Sequence, residues 1–451
     1  MTQSRQFLVA GVTVTIAAAA AAMAARQPLT QTPSATAMND LAERYVKLVL
    51  GMGQHDPDYV DAYYGPDAWR EQADRDALAL PQIGAAAELL LAELEQTAQG
   101  GRQDDAGDSN TPDSLPRLRW EYLTRQVQAL RTRVRMLEGL VLAFDQESEA
   151  LYDAVAPSHP DSYFQETLAV LEARLPGPGP VVGRYETFRS AFIVPSTRLD
   201  DVFEAAIAEC RRRTQNHVDL PAGEQFTVEY VTNKSWSGYN WYQGNFRSLI
   251  QVNTDLPIYI DRAIDLACHE GYPGHHVYNV LLERHLVGDR GWPEFSVYAL
   301  FSPQSLIAEG TANYGIEVAF PPEERLAFER DVLFPAAGLD PLRTAEYYEV
   351  QALVSQLEYA GNEAARRYLN GEIDRAAAAD WMTRYAMMAP ERAAQRTRFF
   401  DQYRSYVINY NLGKDLVEDY VEARSGGDAG TRWDVFAALL ASPRLPSGLR
   451  D

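Results

Sequence analysis

Four of the seven histidines of this chain lie between positions 269 and 285, and a glutamate follows the first of them. Imidazole and carboxylate groups are the usual ligands of catalytic zinc, which binds three protein groups and keeps a fourth position for water. The common helical arrangement is H-E-x-x-H, in which two histidines lie one turn apart and the glutamate acts as general base. Here the run is HEGYPGHH, so Pro273 stands four positions after His269. The sequence therefore offers the components of a zinc site in an altered spacing.

The second histidine ligand depends on how the chain passes Pro273 and Gly274. On a regular helix His275 would point away from His269, whereas His276 would share its face but lie about 10.5 Å along the axis. Neither pair could bind one ion with bonds of about 2 Å. Pro273 cannot donate a backbone hydrogen bond, and Gly274 permits a turn closed to other residues. A two-residue bulge here would bring His275 to the place of the second ligand, and His276 is the alternative.

A third ligand is expected from a separate helix. The segment SLIAEGTANYGIEVAF, residues 305–320, places Glu309 in an apolar stretch, where an unpaired carboxylate is costly. A bound metal would explain Glu309, and an ordinary helix carboxylate is the alternative. Asn313 follows one helical turn later and could orient the ring of His269 through a hydrogen bond. Glu270, beside the first histidine, is the expected general base.

The motif resembles a known family. HEGYPGHH, preceded by GNFRSLIQVNTDLP and followed by AEGTANYGIEVAF, resembles the bacterial proteins grouped as domain of unknown function 885. These proteins are similar to zincin metallopeptidases in which a glutamate is the third ligand. The resemblance extends over about 39–421 and is sharpest over 244–317. The family usually has Glu-Gly-Trp-Ala as its second motif, and Thr311 takes the place of the Trp here.

The resemblance implies roles for individual residues. It implies that His269, His275 and Glu309 bind Zn²⁺ and that Glu270 is the catalytic base. In addition, Tyr410 lies in a Tyr-x-x-Gly pattern like one late in the family, and its phenol could stabilise the oxyanion of a tetrahedral intermediate. Tyrosines of amphipathic helices are more often packing groups, and that interpretation stays open.

A strand near the active helix could hold an extended peptide substrate. In zincins the edge of a strand does this by backbone pairing, and Ser248–Asn253 is placed to do so here. A purely structural strand is the equally simple alternative. Only contacts along the backbone of this segment would distinguish the two.

The pattern of apolar residues along the chain predicts a mainly α fold with a small β-sheet just before the active-site helix. The resemblance implies that this large multi-helical domain is zincin-like. Apolar residues recur at helical spacing from Asn39 onward, whereas residues 226–257 are short β-branched or aromatic runs separated by turn residues. Four segments are expected: a signal peptide (1–25), a linker (26–38), a helical N-terminal region (39–220) and a catalytic region with C-terminal helices (221–451).

Charge and the N-terminal sequence limit the partners and the location. The net charge of -22 disfavours nucleic acid as a partner, because phosphate binding needs a basic face. Arg5 and the uncharged, Ala-rich residues 7–23 are typical of an export signal, with Ala22-Met23-Ala24 as the cleavage site. A periplasmic or secreted protein with no membrane contact after cleavage is expected, and an uncleaved anchor is the alternative.

The sequence therefore predicts an exported zinc-dependent hydrolase that cleaves peptides. The motif would activate a water molecule as the nucleophile, but it does not determine which carbonyl compound is cleaved. A non-peptide amide or ester is therefore an alternative substrate. A binding protein without turnover is the alternative from a different class. The presence of Glu270 favours catalysis, because a site that only binds metal has little need of a base.

Overall fold

The computed structural model describes residues 33–104, 114–234 and 236–450, so the predicted signal peptide lies outside the described residues. Helices dominate this part of the chain, which confirms the prediction of a mainly α fold. They are α1 (Pro33–Met52), α2 (Asp67–Asp76), α3 (Leu80–Asp104), α4 (Leu115–Leu137), α5 (Phe144–Tyr152), α6 (Asp161–Arg174), α7 (Val181–Arg189), α8 (Leu199–Gln215), α9 (Asp261–Leu266), α10 (His275–Leu282), α11 (Pro303–Ala319), α12 (Pro322–Phe328), α13 (Phe334–Ala337), α14 (Thr344–Ser355), α15 (Tyr359–Leu369), α16 (Arg375–Tyr385), α17 (Pro390–Tyr403), α18 (Ile408–Ser425) and α19 (Ala429–Leu440).

One helix end differs from the sequence expectation. Helix α1 begins at Pro33, within the segment expected to be a linker. The Pro-Gly run at 176–180 separates α6 from α7, as its composition predicts. Among the described residues, none of the helices combines the length and apolar character that a membrane span needs.

The predicted small sheet lies directly before the helix that carries the histidines. It contains β2 (Gln225–Val231), β3 (Gly238–Gly244) and β4 (Arg247–Asn253) in the order β2-β4-β3. Strand β4 runs parallel to β2 and antiparallel to β3. The expectation that Ser248–Asn253 offers a free edge to substrate is wrong, because neighbours occupy both sides of β4. A separate two-stranded sheet joins β1 (Val60–Tyr63) to β5 (Val297–Ala299).

Two glycines allow α11 and α18 to cross at close range. A side chain at Gly310 would overlap the backbone of Gly413, and a Cβ at Gly413 would lie 2.7 Å from the carbonyl oxygen of Leu306. Only residues without a Cβ permit this approach. The crossing fixes the position of Glu309, which precedes the first glycine, relative to Tyr410, which lies three residues before the second.

A buried ion pair holds the segment that leads into α11. Both nitrogens of the Arg119 guanidinium that face Glu294 donate to its carboxylate, at 2.6 and 3.0 Å, and both side chains are almost fully buried. Arg119 also donates to Asn39 at 2.6 Å, so α1 and α4 are joined to the turn before β5. Strand β5 then leads directly into the helix of Glu309.

We expect Glu294→Ala to lower the free energy of unfolding by about 3–5 kcal/mol, because it leaves the Arg119 charge buried without its partner. Urea unfolding followed by circular dichroism measures the change. Glu93→Ala is the matched control, since Glu93 pairs with Arg44 at 2.6 Å while both remain about half exposed, and its cost should stay below about 1 kcal/mol. Equal losses in the two variants would contradict the assigned importance of the buried pair.

Candidate metal centre

The chain leaves its helix between the two histidines of the motif. Helix α9 continues as a wide π-helical turn over Ala267–Gly271, and α10 starts at His275 after a short non-helical step. The amide of Gly274 donates to the carbonyl of Cys268 at 2.9 Å. A Cβ at Gly274 would overlap the carbonyl oxygen of His269, so only glycine fits here. The expected two-residue bulge is thus a full break between two helices.

This break brings together three of the residues expected to bind metal. Nε2 of His275 lies 3.1 Å from Nε2 of His269. Oε2 of Glu309 lies 3.3 Å from Nε2 of His269 and 3.8 Å from Nε2 of His275. Ligands at bonds of about 2.1 Å around a tetrahedral ion are about 3.4 Å apart. The three donor atoms could therefore hold one divalent cation.

Two carboxylates compete for the role of third ligand. His269, Glu270 and His275 offer atoms that all lie within 4.8 Å of one another, so Glu270 is also close to the imidazoles. Glu309 is the better ligand, because Oε2 of Glu309 lies nearer to both rings and has no hydrogen-bond partner among the described residues although it is buried. Its other oxygen accepts a hydrogen bond from Tyr406 at 2.8 Å.

Asn313 fixes the orientation of the His269 ring. Its amide nitrogen donates to the carbonyl of Tyr410 at 3.0 Å, which leaves Oδ1 facing Nδ1 of His269 at 3.0 Å. An amide oxygen only accepts, so Nδ1 must carry the proton and Nε2 keeps its lone pair toward Glu309. The predicted orienting contact of Asn313 is present. A metal site needs this tautomer.

His276 is not part of this group of donors. It is fully buried, with Nδ1 2.9 Å from Oγ of Ser248 and Nε2 3.0 Å from Oε2 of Glu224. Tyr272 and Arg211 also donate to Glu224. Both ring nitrogens of His276 thus have hydrogen-bond partners near the sheet. The structure therefore brings His275, and not His276, to His269.

Glu270 lies beside the donors in a buried position. Burial raises the pKa of its carboxyl group to about 7. A Cβ at Gly238, the first residue of β3, would lie 2.7 Å from Oε1 of Glu270, so the strand passes directly over this carboxylate. For Glu309 the balance is opposite: burial acts to raise its pKa, but the facing His269 and His275 hold it well below its usual range.

Sequence reasoning chose Tyr410, whereas the structure places two tyrosines at the site. Tyr406 is buried and donates to Glu309, and its ring lies 5.8 Å from that of Tyr410. The hydroxyl of Tyr410 makes no hydrogen bond with the described residues, and its side chain is partly exposed. The spacing of four positions within one helical segment was the signal that both could face Glu309.

Asp61 could not be identified from the sequence, because it lies on β1, far along the chain from the histidine motif. Tyr239 of β3 donates a hydrogen bond to its carboxylate. Burial raises the pKa of Asp61 to about 6, and the charges of His275 and Glu309 also act on it. No local pattern in the sequence connects Asp61 to the histidine motif. Thr311 donates to the carbonyls of Ile307 and Ala308 in its own helix.

Three solved structures are similar to this chain at low sequence identity. A candidate lipoprotein from Colwellia psychrerythraea matches with a TM-score of 0.50 and 15% identity, covering 84% of this chain and 70% of its own. A candidate lipoprotein of unknown function from Shewanella oneidensis matches with a TM-score of 0.44 and 15% identity, covering 86% and 78%. The protein named BsuCP matches with a TM-score of 0.44 and 10% identity, covering 92% of this chain and 89% of its own. No protein-family model and no curated protein sequence matches the chain.

Gly274→Ala should lower the free energy of unfolding by about 3 kcal/mol or more, because the new methyl group overlaps backbone that cannot move independently. Urea unfolding measures the loss. Gly361→Ala is the control, since no atom lies within 4 Å of a Cβ at this position in α15, and a gain of up to about 1 kcal/mol is expected from helix propensity. A Gly274→Ala variant as stable as the wild type would show that the described backbone contact is absent.

Asn313→Ala should weaken Zn²⁺ binding about 10–100-fold, because the ring of His269 loses the acceptor that fixes its tautomer. Competition with a chromophoric chelator measures the affinity. Asn313→Asp retains an acceptor oxygen at this position and is expected to bind zinc close to the wild-type level. If both variants lose affinity equally, the oxygen facing Nδ1 is not the cause.

Proposed function

We propose that the protein is an exported zinc-dependent hydrolase that cleaves peptides. The observation that carries the proposal is the spacing of 3.1–3.8 Å among Nε2 of His269, Nε2 of His275 and Oε2 of Glu309. The buried Oε2 has no hydrogen-bond partner among the described residues. Such an oxygen is costly to bury, and a cation between the three donors would remove the cost.

The chemistry of the donors favours zinc. Two imidazoles and one carboxylate form the set that binds catalytic zinc in metallopeptidases, whereas Mg²⁺ and Ca²⁺ prefer oxygen ligands alone. The two imidazole rings of His269 and His275 keep 13–14% of their side-chain surface exposed, which leaves an approach from solvent. When bound, zinc supplies a Lewis acid that polarises a carbonyl group and lowers the pKa of water.

Glu270 is the proposed general base. Its carboxylate is close to both imidazoles and is buried beneath β3. It would take the proton of the attacking water and pass it to the nitrogen of the leaving amine. A carboxyl group whose pKa burial raises to about 7 can both accept and release a proton near neutral pH.

Tyr410 is the proposed donor to the developing oxyanion. Its hydroxyl is not used by the described residues, and its backbone carbonyl is held by Asn313 at 3.0 Å. Tyr406 is less suited to the role because its hydroxyl already donates to Glu309 at 2.8 Å. A preorganised phenol stabilises negative charge that develops in the transition state more than the charge of the ground state.

The proposed setting follows from the sequence. The N-terminal residues 1–25 have the pattern of an export signal, so a periplasmic or secreted location is proposed. The net charge of -22 does not suit nucleic acid as a partner. A peptide or small amide is the proposed substrate.

We expect Glu270→Gln to retain one zinc per chain while kcat/KM for a peptide falls about 10²–10⁴-fold, because only the proton acceptor is removed. Elemental analysis and hydrolysis of a fluorogenic peptide library measure the two effects. Glu317→Gln is the matched control on α11, where Glu317 pairs with Lys414 at 2.6 Å, and it should retain wild-type activity.

His275→Ala should lose both the zinc and the hydrolysis, whereas His285→Ala should keep both, because His285 faces Asp289 at 3.2 Å on the surface. Full turnover by Glu270→Gln would show that Glu270 is not the general base. Stoichiometric zinc in His275→Ala would show that His275 is not a ligand. Cleavage of esters but not of peptides by the wild type would leave the metal site intact and change the substrate class.

A further inference from the structure

Two arginines of α17 face the same direction without a carboxylate partner. Arg392 and Arg396 are separated by four positions, which places them one above the other on the helix. Neither forms an ion pair or hydrogen bond with a carboxylate among the described residues. Like charges at this spacing are destabilising, and in a chain with 63 acidic and 41 basic residues carboxylate partners are abundant. The missing partners therefore call for an explanation.

Other guanidinium groups lie near Arg392. Burial lowers the pKa of Arg392, and the positive charges of Arg262, Arg396 and Arg189 lower it further. Arg392 is exposed to solvent, and we refer to Arg392, Arg396 and Arg262 as the arginine cluster. Arg189 pairs with Glu186 at 2.5 Å and Arg262 lies 3.4 Å from Asp265, so excess positive charge remains at Arg392 and Arg396.

The loop between β2 and β3 links these arginines to Glu270. The carbonyl of Lys234 in this loop accepts a hydrogen bond from Gln395 of α17 at 3.4 Å. Three residues further, Oγ of Ser237 lies 3.5 Å from Arg262. The next residue is Gly238, whose Cα faces Oε1 of Glu270. The arginine cluster and the proposed base thus adjoin the same loop.

A second set of contacts links Arg396 to the donor atoms. Its guanidinium lies 4.1 Å from the ring centre of Phe399 and 5.6 Å from that of Tyr410. The ring of Tyr410 adjoins that of Tyr406, whose hydroxyl donates to Glu309. The negative charge of Glu309 also acts on Arg396. Arg396 is therefore the member of the arginine cluster that lies toward the metal centre.

We propose that Arg392 and Arg396, with Arg262 beside them, form a subsite for a carboxylate of the substrate. The inference rests on the proposed function, since it names the class of peptide that the same site would take. Guanidinium groups bind carboxylates through paired N–H donors, which gives the contact both strength and a defined geometry. The carboxylate is the free C-terminal group of a short peptide, so hydrolysis occurs close to the C-terminus.

Two pairs of peptides separate the sources of the carboxylate. Acetyl-Ala-Ala-Phe is used as the free acid and as the amide, and acetyl-Ala-Asp-Ala amide is compared with its Asn counterpart. Binding is measured by calorimetry with the zinc-loaded Glu270→Gln chain, which needs no turnover, and kcat/KM is measured with the zinc-loaded wild type. We expect the free acid to bind at least about tenfold more tightly than its amide, with little difference between the Asp and Asn peptides.

The arginines are then removed one at a time. Arg392→Ala and Arg396→Ala should each abolish most of the preference for the acid while the amide binds as before. Arg398→Ala, an exposed arginine on the same helix, should keep the preference. Circular dichroism confirms that each variant is folded. Where an alanine variant does not fold, Arg392→Lys or Arg396→Lys replaces it and should keep only part of the preference, because lysine cannot donate the paired N–H bonds of a guanidinium.

Different outcomes overturn different statements. Equal binding of acid and amide by the wild type, or an unchanged preference in both alanine variants, overturns the carboxylate subsite. A preference for the Asp peptide alone overturns the assignment to the C-terminus. Tight binding of the acid without hydrolysis of either peptide supports the subsite and contradicts the proposed function.

Discussion

The buried carboxylate of Glu309 is the constraint around which the site is organised. One oxygen accepts the hydroxyl of Tyr406, and the other faces two imidazole nitrogens and has no donor among the described residues. Since Asn313 requires the proton of His269 on Nδ1, the nitrogen facing Glu309 is a second acceptor. Acceptors that converge in a buried place repel one another, and a cation is the simplest group that satisfies all of them.

Close backbone packing makes this convergence possible. The step at Gly274 lets α10 begin against the carbonyl of His269, and the contact between Gly310 and Gly413 lets α11 approach α18. Each glycine adjoins or lies close to a residue of the site, so the positions without side chains lie where helices must meet. Their cost in conformational entropy is offset by the packing they allow. Rigid helices, rather than loops, thus carry the donor atoms.

Much of the fold and of the candidate site could be predicted from local sequence patterns, but contacts between distant segments could not. The spacing of His269, Pro273 and Gly274 indicates a break, and the apolar surroundings of Glu309 indicate a buried carboxylate, because both signals lie within a few residues of the group concerned. The choice between the edge and the centre of the sheet depends on strand order, and β4 proved to be central. Asp61 approaches the site through pairing of β1 with β5, a contact between distant segments that no local period encodes.

Charge is distributed unevenly around the candidate centre. Glu270, Glu309 and Asp61 gather on the side of the imidazoles, whereas Arg392 and Arg396 lie on the side of α17. A cation among the first group would reduce its negative charge without altering the positive charge of the second group. A substrate with a terminal carboxylate would then be oriented with that end toward α17 and its adjacent carbonyl toward the donors. Orientation of this kind arises from the field of fixed charges, which acts on a charged substrate before it makes contact.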